Sequence, residues 1–179
     1  MKTLTLLRHA KSGWDDPVSR DFDRPLNAKG KRAAQVVGRH LRDAGLAFDH
    51  VVASPAVRVG ETIDALVAGY GRKLDPVWDR RIYLASAATL IDVVHDLPAA
   101  AHRVLFVGHN PGLEDLLLML VPATDDGLRT LAEQKFPTAT FAEMQIDAAA
   151  WDAARTGSAT LTRFVRPRDL DATLGPDER

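Results

Sequence analysis

Two short apolar segments of this sequence each end in a histidine, and an arginine precedes the first of these histidines. Thr3–Leu7 is aliphatic and β-branched, as expected of a buried strand, and Arg8 and His9 follow it directly. A guanidinium offers a planar, permanently charged set of donors, and a neutral imidazole is nucleophilic at physiological pH. The pair suits phosphate chemistry. Taken alone, however, the two residues favour the simpler interpretation that they close a strand at the surface.

A second histidine and a second arginine lie in comparable positions further along the chain. His109 follows the continuous apolar run 103–107. Arg58 falls in the first turn of a helix that we expect Ser54 to cap, where free N–H groups already favour an anion. Ligands of open α/β sheets bind at the carboxyl ends of strands. Two histidines with two arginines at such ends therefore predict a phosphate site.

Length and composition exclude several other classes of site. The chain has 179 residues with a formal net charge of −1 and no cysteine. These values argue against a broad electrostatic contact with nucleic acid or a membrane, and they exclude disulfides, thiolate catalysis and cysteine-based zinc sites. No signal peptide or membrane-spanning run is evident, so we expect a cytoplasmic protein. One domain is expected over 1–179, with a core over about 1–166 and a polar C-terminal tail.

The elements that must position these residues alternate between strands and helices. This order predicts a three-layer α/β/α fold with a mainly parallel sheet and an antiparallel edge. Asn27 is the expected N-cap of the first helix, and fraying is expected after Pro167. The predicted strands cover 3–7, 48–53, 73–78, 103–107, 138–146 and 159–166, and the predicted helices cover 28–44, 55–68, 87–96, 112–121, 126–135 and 148–155.

Four short motifs follow one another in the sequence: Leu7-Arg8-His9-Ala10, Arg24-Pro25-Leu26 with Gly30, Ser54-Pro55 with Arg58, and Gly108-His109-Asn110. In this order they resemble the motifs of the histidine phosphatase superfamily, which has the phosphoglycerate-mutase-like fold. The short length and the opening Arg-His-Ala-Lys-Ser, followed by Trp14, resemble the compact SixA-type phosphohistidine phosphatase branch. Ala10 stands where the superfamily usually has glycine, and we expect the site to tolerate this small-for-small change.

The resemblance implies a role for each of these residues. His9 would attack phosphorus and hold the phosphoryl group as a phosphohistidine. Arg8, Arg58 and His109 would bind the phosphoryl oxygens, and we expect Asn110 and Lys11 to contact the substrate as well. Positioning and charge stabilisation lower most of the barrier to phosphoryl transfer, so this scheme requires no metal and no other cofactor.

The sequence offers several candidates for a general acid. Larger phosphoglycerate mutases carry an acidic residue before the third main strand. This chain reads Asp79-Arg80-Arg81-Ile82-Tyr83 there, with an arginine near the expected place of the acid, so Asp79 would have to fill that role. Carboxylates of the first loop are the alternatives, Asp16 and Asp21 ahead of Asp15 and Asp23, although pairing with the arginines of the same loop is at least as compatible with their positions. A phosphohistidine leaving group is less basic than an alkoxide and could depart without an acid.

These considerations predict a metal-independent phosphatase that acts on a phosphorylated protein histidine or a small phosphoester. Phosphotransfer of the phosphoglycerate-mutase type is the enzymatic alternative, and a non-catalytic phosphate-binding module is the alternative outside enzymes. The expected partner is a phosphorylated protein or a small phosphoester substrate, with no nucleic acid and no membrane.

Overall fold

A computed structural model of the chain describes residues 1–13, 20–123 and 127–176. Within these ranges the strands are β1 (Lys2–Arg8), β2 (His50–Ala53), β3 (Val77–Trp78), β4 (Arg103–Gly108), β5 (Phe141–Ile146) and β6 (Ala159–Val165). The α-helices are α1 (Ala28–Asp43), α2 (Val57–Tyr70), α3 (Ala87–His95), α4 (Gly112–Leu120), α5 (Leu128–Gln134) and α6 (Pro167–Leu170). No helix in the described ranges is long and apolar enough to cross a membrane.

The strands form one mixed sheet in the order β3-β2-β4-β1-β5-β6. The strands β1, β2, β3 and β4 are parallel, while β5 is antiparallel to both β1 and β6. Because β6 reverses the direction of β5, it runs in the same direction as β1. The predicted α/β fold with a mainly parallel sheet and an antiparallel edge is confirmed.

Two hydrophobic cores lie on opposite faces of the sheet, because successive residues of a strand point to opposite sides. Leu4 and Leu6 of β1 belong to the core that α3, α4 and α5 cover. Leu7 of the same strand belongs to the core beneath α1 and α2. The interior strands are therefore apolar on both faces, as is typical of parallel sheets.

The two helices on one face, α1 and α2, approach each other at the level of the backbone. A Cβ atom at Gly38 of α1 would overlap the carbonyl oxygen of Leu66, and a Cβ atom at Gly69 of α2 would overlap that of Gln35. Glycine at both positions is therefore required by the contact. The helix α1 begins where the sequence predicted, since the side chain of Asn27 accepts a hydrogen bond of 2.8 Å from the backbone N–H of Gly30.

Three local predictions are wrong. The helix α2 begins after Ala56 rather than at a Ser54 cap. The connection predicted as a helix over 148–155 contains only the 3-10 turn Trp151–Ala153. The chain after Pro167 does not fray through residue 176, because α6 and the 3-10 turn Ala172–Leu174 pack on α1 and bury Leu174. Leu170 packs against the same core, and Lys29 donates to the carbonyl of Gly175, so several contacts hold this otherwise polar segment.

Candidate active site

The carboxyl ends of β1, β4 and β2 bring the predicted residues to one edge of the sheet. Arg8 ends β1 and His9 follows it, while His109 comes directly after β4. The strand β2 leads through residues 54–56 into α2, whose second residue is Arg58. The rings of His9 and His109 lie 5.3 Å apart between their centroids, and a guanidinium nitrogen of Arg58 lies 3.3 Å from the ring of His109. The structure therefore brings these residues together, and their catalytic roles stay predictions.

The ring of His9 has one nitrogen engaged and one nitrogen available. Its Nδ1 lies 2.7 Å from the carbonyl oxygen of Ala10. A carbonyl can only accept a hydrogen bond, so Nδ1 carries the proton and Nε2 keeps its lone pair. Burial, together with the charges of Arg58 and Arg8, lowers the pKa of His9 to about 4, against the hydrogen bond to Ala10. The imidazole is therefore neutral at physiological pH.

The ring of His109 is held in a defined tautomer by two neighbours. Arg58 donates from Nη2 to Nδ1, because a guanidinium has no acceptor. The proton of His109 is therefore on Nε2, which donates to the hydroxyl oxygen of Ser54 over 2.8 Å. Burial lowers the pKa of His109 to about 3, with further contributions from His9 and Arg58. The ring is therefore neutral, and its two hydrogen bonds fix its orientation at the carboxyl end of β4.

Arg58 is almost completely buried, with 2% of its side chain exposed. It donates from Nη1 to the backbone oxygen of Asp21 over 2.8 Å and from Nη2 to the carboxylate of Asp21 over 3.0 Å. The Asp21 carboxylate also accepts hydrogen bonds from Tyr83 over 2.7 Å and from Arg24 over 3.0 Å. A buried cation thus has a paired anion, while its Nε is buried with no protein partner among the described residues.

Thr62 on α2 connects the backbone of Arg58 to the backbone of Ala10, the residue after His9. The hydroxyl of Thr62 donates to the backbone oxygen of Arg58 and accepts from the backbone N–H of Ala10, over 2.6 and 2.9 Å. The first turn of α2 is therefore tied directly to the end of β1. This connection fixes the separation between the guanidinium and the imidazole.

Arg8 and Asn110 meet at a single backbone carbonyl. The oxygen of Phe136 accepts from Nη1 of Arg8 over 2.8 Å and from Nδ2 of Asn110 over 3.2 Å. Burial lowers the pKa of Arg8, an effect that Glu114 opposes, and Nε of Arg8 is buried without a protein partner among the described residues. The guanidinium therefore has donors left over for an anion.

The segment that follows His9 is fixed by the first turn of α1. The backbone oxygen of Lys11 accepts a hydrogen bond of 3.0 Å from the N–H of Asn27. A Cβ atom at Gly30 would overlap this same backbone oxygen of Lys11. The glycine that follows Arg24-Pro25-Leu26 in the sequence is thus explained by the close approach of α1 to the chain after the histidine.

The described general-acid candidates are each paired with an arginine. Burial raises the pKa of Asp21, but the hydrogen bonds from Tyr83 and Arg58 outweigh it and hold the pKa below its ordinary value. Hydrogen bonds from Arg81 likewise hold the pKa of Asp79 below its ordinary value, and Asp79 caps a 3-10 turn. Asp23 pairs with the exposed Arg20 over 2.8 Å. The remaining candidates, Asp15 and Asp16, lie outside the described residues.

Sequence reasoning missed three contributors to the site. Tyr83 donates to Asp21 and packs edge-on against the ring of His109, with centroids 5.4 Å apart. Thr62 gave no signal beyond a polar position in a helix. The carbonyl of Phe136 has no signal in sequence at all, because a main-chain atom is common to every residue. Within the described residues, no three histidine, aspartate or glutamate side chains are grouped so as to hold a metal ion.

Comparison with known families agrees with this geometry. The model of the histidine phosphatase superfamily (branch 1) matches residues 4–82, a range that includes Arg8, His9 and Arg58. A solved structure from Nakamurella multipartita, provisionally assigned as the phosphohistidine phosphatase SixA, superposes with a TM-score of 0.80 at 30% identity, over 93% of this chain and 96% of that one. The chain belongs to the histidine phosphatase superfamily.

Further relatives place this histidine phosphatase in the SixA-type branch. A second provisionally assigned phosphohistidine phosphatase SixA, from Agrobacterium tumefaciens, superposes with a TM-score of 0.77 at 28% identity, over 93% of this chain and 98% of that one. An uncharacterized protein of Mycobacterium tuberculosis strain H37Rv is 32% identical over 164 residues, which cover 90% of this chain and 100% of the relative. Membership of this branch supports a phosphatase activity.

Proposed function

We propose that this protein is a metal-independent phosphatase that forms a phosphohistidine on His9. In the first step Nε2 of His9 attacks phosphorus, the N–P bond forms, and the bond from phosphorus to the leaving group breaks. In the second step water attacks phosphorus, the N–P bond breaks, and inorganic phosphate leaves with His9 neutral again. Each half-reaction conserves the phosphoryl group, and neither requires an external reductant or oxidant.

The hydrogen bond between Nδ1 of His9 and the Ala10 carbonyl is the observation that carries this proposal. It leaves the lone pair on Nε2, and the lowered pKa of His9 keeps that lone pair free of a proton at neutral pH. A buried neutral imidazole beside two guanidinium groups is arranged for attack on an anionic phosphoryl group, because the charges that disfavour imidazolium attract phosphate.

Arg8, Arg58 and His109 would stabilise the charge on the transferred group. Both arginines have a buried Nε that no described protein atom accepts from, so each has donors to offer. A phosphoryl dianion that displaced Arg58 from Nδ1 of His109 would favour protonation of that nitrogen, and the new N–H would donate to a phosphoryl oxygen. Asn110 and Lys11 border the same edge and would contact the rest of the substrate.

The substrate is a phosphorylated protein histidine or a small phosphoester. The names of the two SixA-type structures support the first. The chemistry of the leaving group agrees, since the imidazole of a phosphohistidine can depart from phosphorus with little help from an acid. The pairing of Asp21 with Arg58 favours a positioning role for this carboxylate, which holds the guanidinium against the two histidines.

The decisive experiment traps the phosphorylated enzyme. After incubation with ³²P-labelled phosphodonor, the native protein should carry an acid-labile, base-stable label, and His9→Asn should carry none while retaining the fold. His50→Asn, at the opposite end of β2, is the matched control and should label normally. Retained release of phosphate from para-nitrophenyl phosphate by His9→Asn would refute the assignment of the nucleophile.

The same assay separates the alternatives. Transfer of the label to an added alcohol in preference to water would indicate a mutase-type reaction. Stoichiometric binding of phosphate without any release from a phosphohistidine peptide or from para-nitrophenyl phosphate would indicate a binding module.

A further inference from the structure

A second concave surface lies beside the candidate active site along the same edge of the sheet. The candidate active site, called the phosphoryl site below, is built on β2, β4 and β1. The second surface lies over β1, β5 and β6. It encloses about 400 Å³ between α1, the segment before β5 and the chain after β6. The described residues that line it include six cations and no carboxylate: Arg8, Lys11, Lys29, Lys135, Arg166 and Arg168. We call it the basic cleft.

The concentration of positive charge in the basic cleft is unusual for this chain. The protein as a whole has a formal net charge of −1, so the cleft differs in sign from the average surface. Some of these cations also hold the structure, since Lys29 donates to the carbonyl of Gly175 over 2.7 Å and Arg166 pairs with Asp169 over 2.8 Å. Lys135 and Arg168 are exposed at the rim.

Arg8 belongs to both sites, which makes them continuous. Its Nη1 is fixed by the Phe136 carbonyl at the point where β1 ends, one residue before His9. Lys11 extends the connection, because it lines the cleft two residues after His9. A ligand with its phosphoryl group at His9 could therefore pass over Arg8 into the cleft.

We propose that the basic cleft binds a second anionic group of the substrate, and that the substrate is a small molecule with more than one phosphate. The volume falls within the range of about 300–1,000 Å³ that is typical of small-ligand pockets. The wall formed by Leu174, Gly175 and Pro176, which Lys29 anchors, gives the cleft a bounded shape rather than an open face. Clustered cations attract compact polyanions more than single charges. This assignment rests on the phosphatase proposed above.

The test compares an anion of one phosphate with an anion of three. Binding of inorganic phosphate and of tripolyphosphate is measured by calorimetry at low ionic strength, with the native protein, with the double variant Lys135→Ala/Arg168→Ala, and with Lys73→Ala as the control. Lys73 is an exposed cation that pairs with Asp75 near the opposite edge of the sheet. None of the substituted residues belongs to the phosphoryl site.

We expect the double variant to lose about tenfold in tripolyphosphate affinity and to keep its phosphate affinity, and we expect raised salt to remove the difference. Lys73→Ala should behave as the native protein. Equal losses for both anions, or no loss for either, would overturn the proposal. A phosphohistidine peptide with acidic flanking residues is measured in the same way. A tenfold loss of affinity confined to this peptide would also overturn the proposal, because the cleft would then serve a protein substrate.

Calorimetry does not require turnover, so the two proposals can fail separately. Absence of a phosphorylated His9 with intact discrimination between the two anions would refute the phosphatase mechanism and leave the cleft as an anion site. A labelled His9 with no discrimination would refute the cleft alone.

Discussion

The buried neutral state of His9 makes the stability of the fold depend on pH in a defined direction. In the folded protein the pKa of His9 is about 4, while an exposed histidine titrates near 6.5. Between these two values the unfolded chain binds a proton at this position and the folded chain does not. The free energy of unfolding therefore decreases as the pH falls from 6.5 to 4. Above pH 6.5 the imidazole is neutral in both states, so this penalty on the folded state is absent.

The magnitude follows from the difference between the two pKa values. At pH 4.5 the unfolded histidine is two pH units below its pKa, so the cost to the folded state is about 3 kcal/mol at about 1.4 kcal/mol for each unit. His9→Asn removes the titration and keeps an N–H that can donate to the Ala10 carbonyl. On moving from pH 7 to pH 4.5, we expect the native protein to lose about 3 kcal/mol more than this variant.

Urea unfolding at both pH values measures the effect, and the comparison between the two proteins cancels the titration of the carboxylates. His109→Asn should change the pH dependence in the same direction, since burial lowers the pKa of His109 to about 3. Parallel loss of stability in the native protein and in both variants would refute the reasoning, because it would mean that neither ring is kept neutral by burial in the folded state.

Three further predictions test the framework around the histidines. Gly30→Ala should lower the free energy of unfolding by about 1–3 kcal/mol and impair turnover, because the new methyl group displaces the chain after His9. Gly60→Ala is its control and should stabilise α2 slightly, since its methyl group has room. Tyr83→Phe should reduce kcat/KM by about 3–10-fold through loss of the hydrogen bond to Asp21, whereas Asp21→Asn should reduce it more, because Arg58 then loses its paired charge. Exhaustive chelation should leave the release of phosphate from para-nitrophenyl phosphate unchanged, and a loss that added metal reverses would contradict the metal-independent mechanism.

The sheet could be predicted from the sequence because its central strands are buried on both faces. A continuous apolar run such as 103–107 is typical of that environment, and the structure places it as the interior strand β4. The placement of His9 and His109 followed from the same runs, since both residues come immediately after a strand. Local capping was also predictable at Asn27, where one side chain and one backbone N–H decide the outcome.

The contacts that orient the site could not be predicted in the same way. Arg8 is fixed by the backbone of a residue 128 positions away, and no property of that residue's side chain signals the contact. Ser54 was predicted as a helix cap because of its position before a helix. Its hydroxyl does accept from the backbone N–H of Ala56 just before α2, but it also accepts a hydrogen bond from His109, a tertiary contact that its position before a helix does not signal. Such tertiary contacts depend on the packing of distant segments.

The backbone contact between α1 and α2 at Gly38 and Gly69 constrains how this domain can diverge. A side chain at either position would separate the helices, so a substitution at one cannot be compensated at the other. The helix α2 carries Arg58, and α1 supports the chain after His9. The close contact between the two helices therefore fixes these two parts of the phosphoryl site relative to each other. Changes in substrate preference should therefore arise in the segments around the basic cleft, which can vary while the reactive centre is inherited intact.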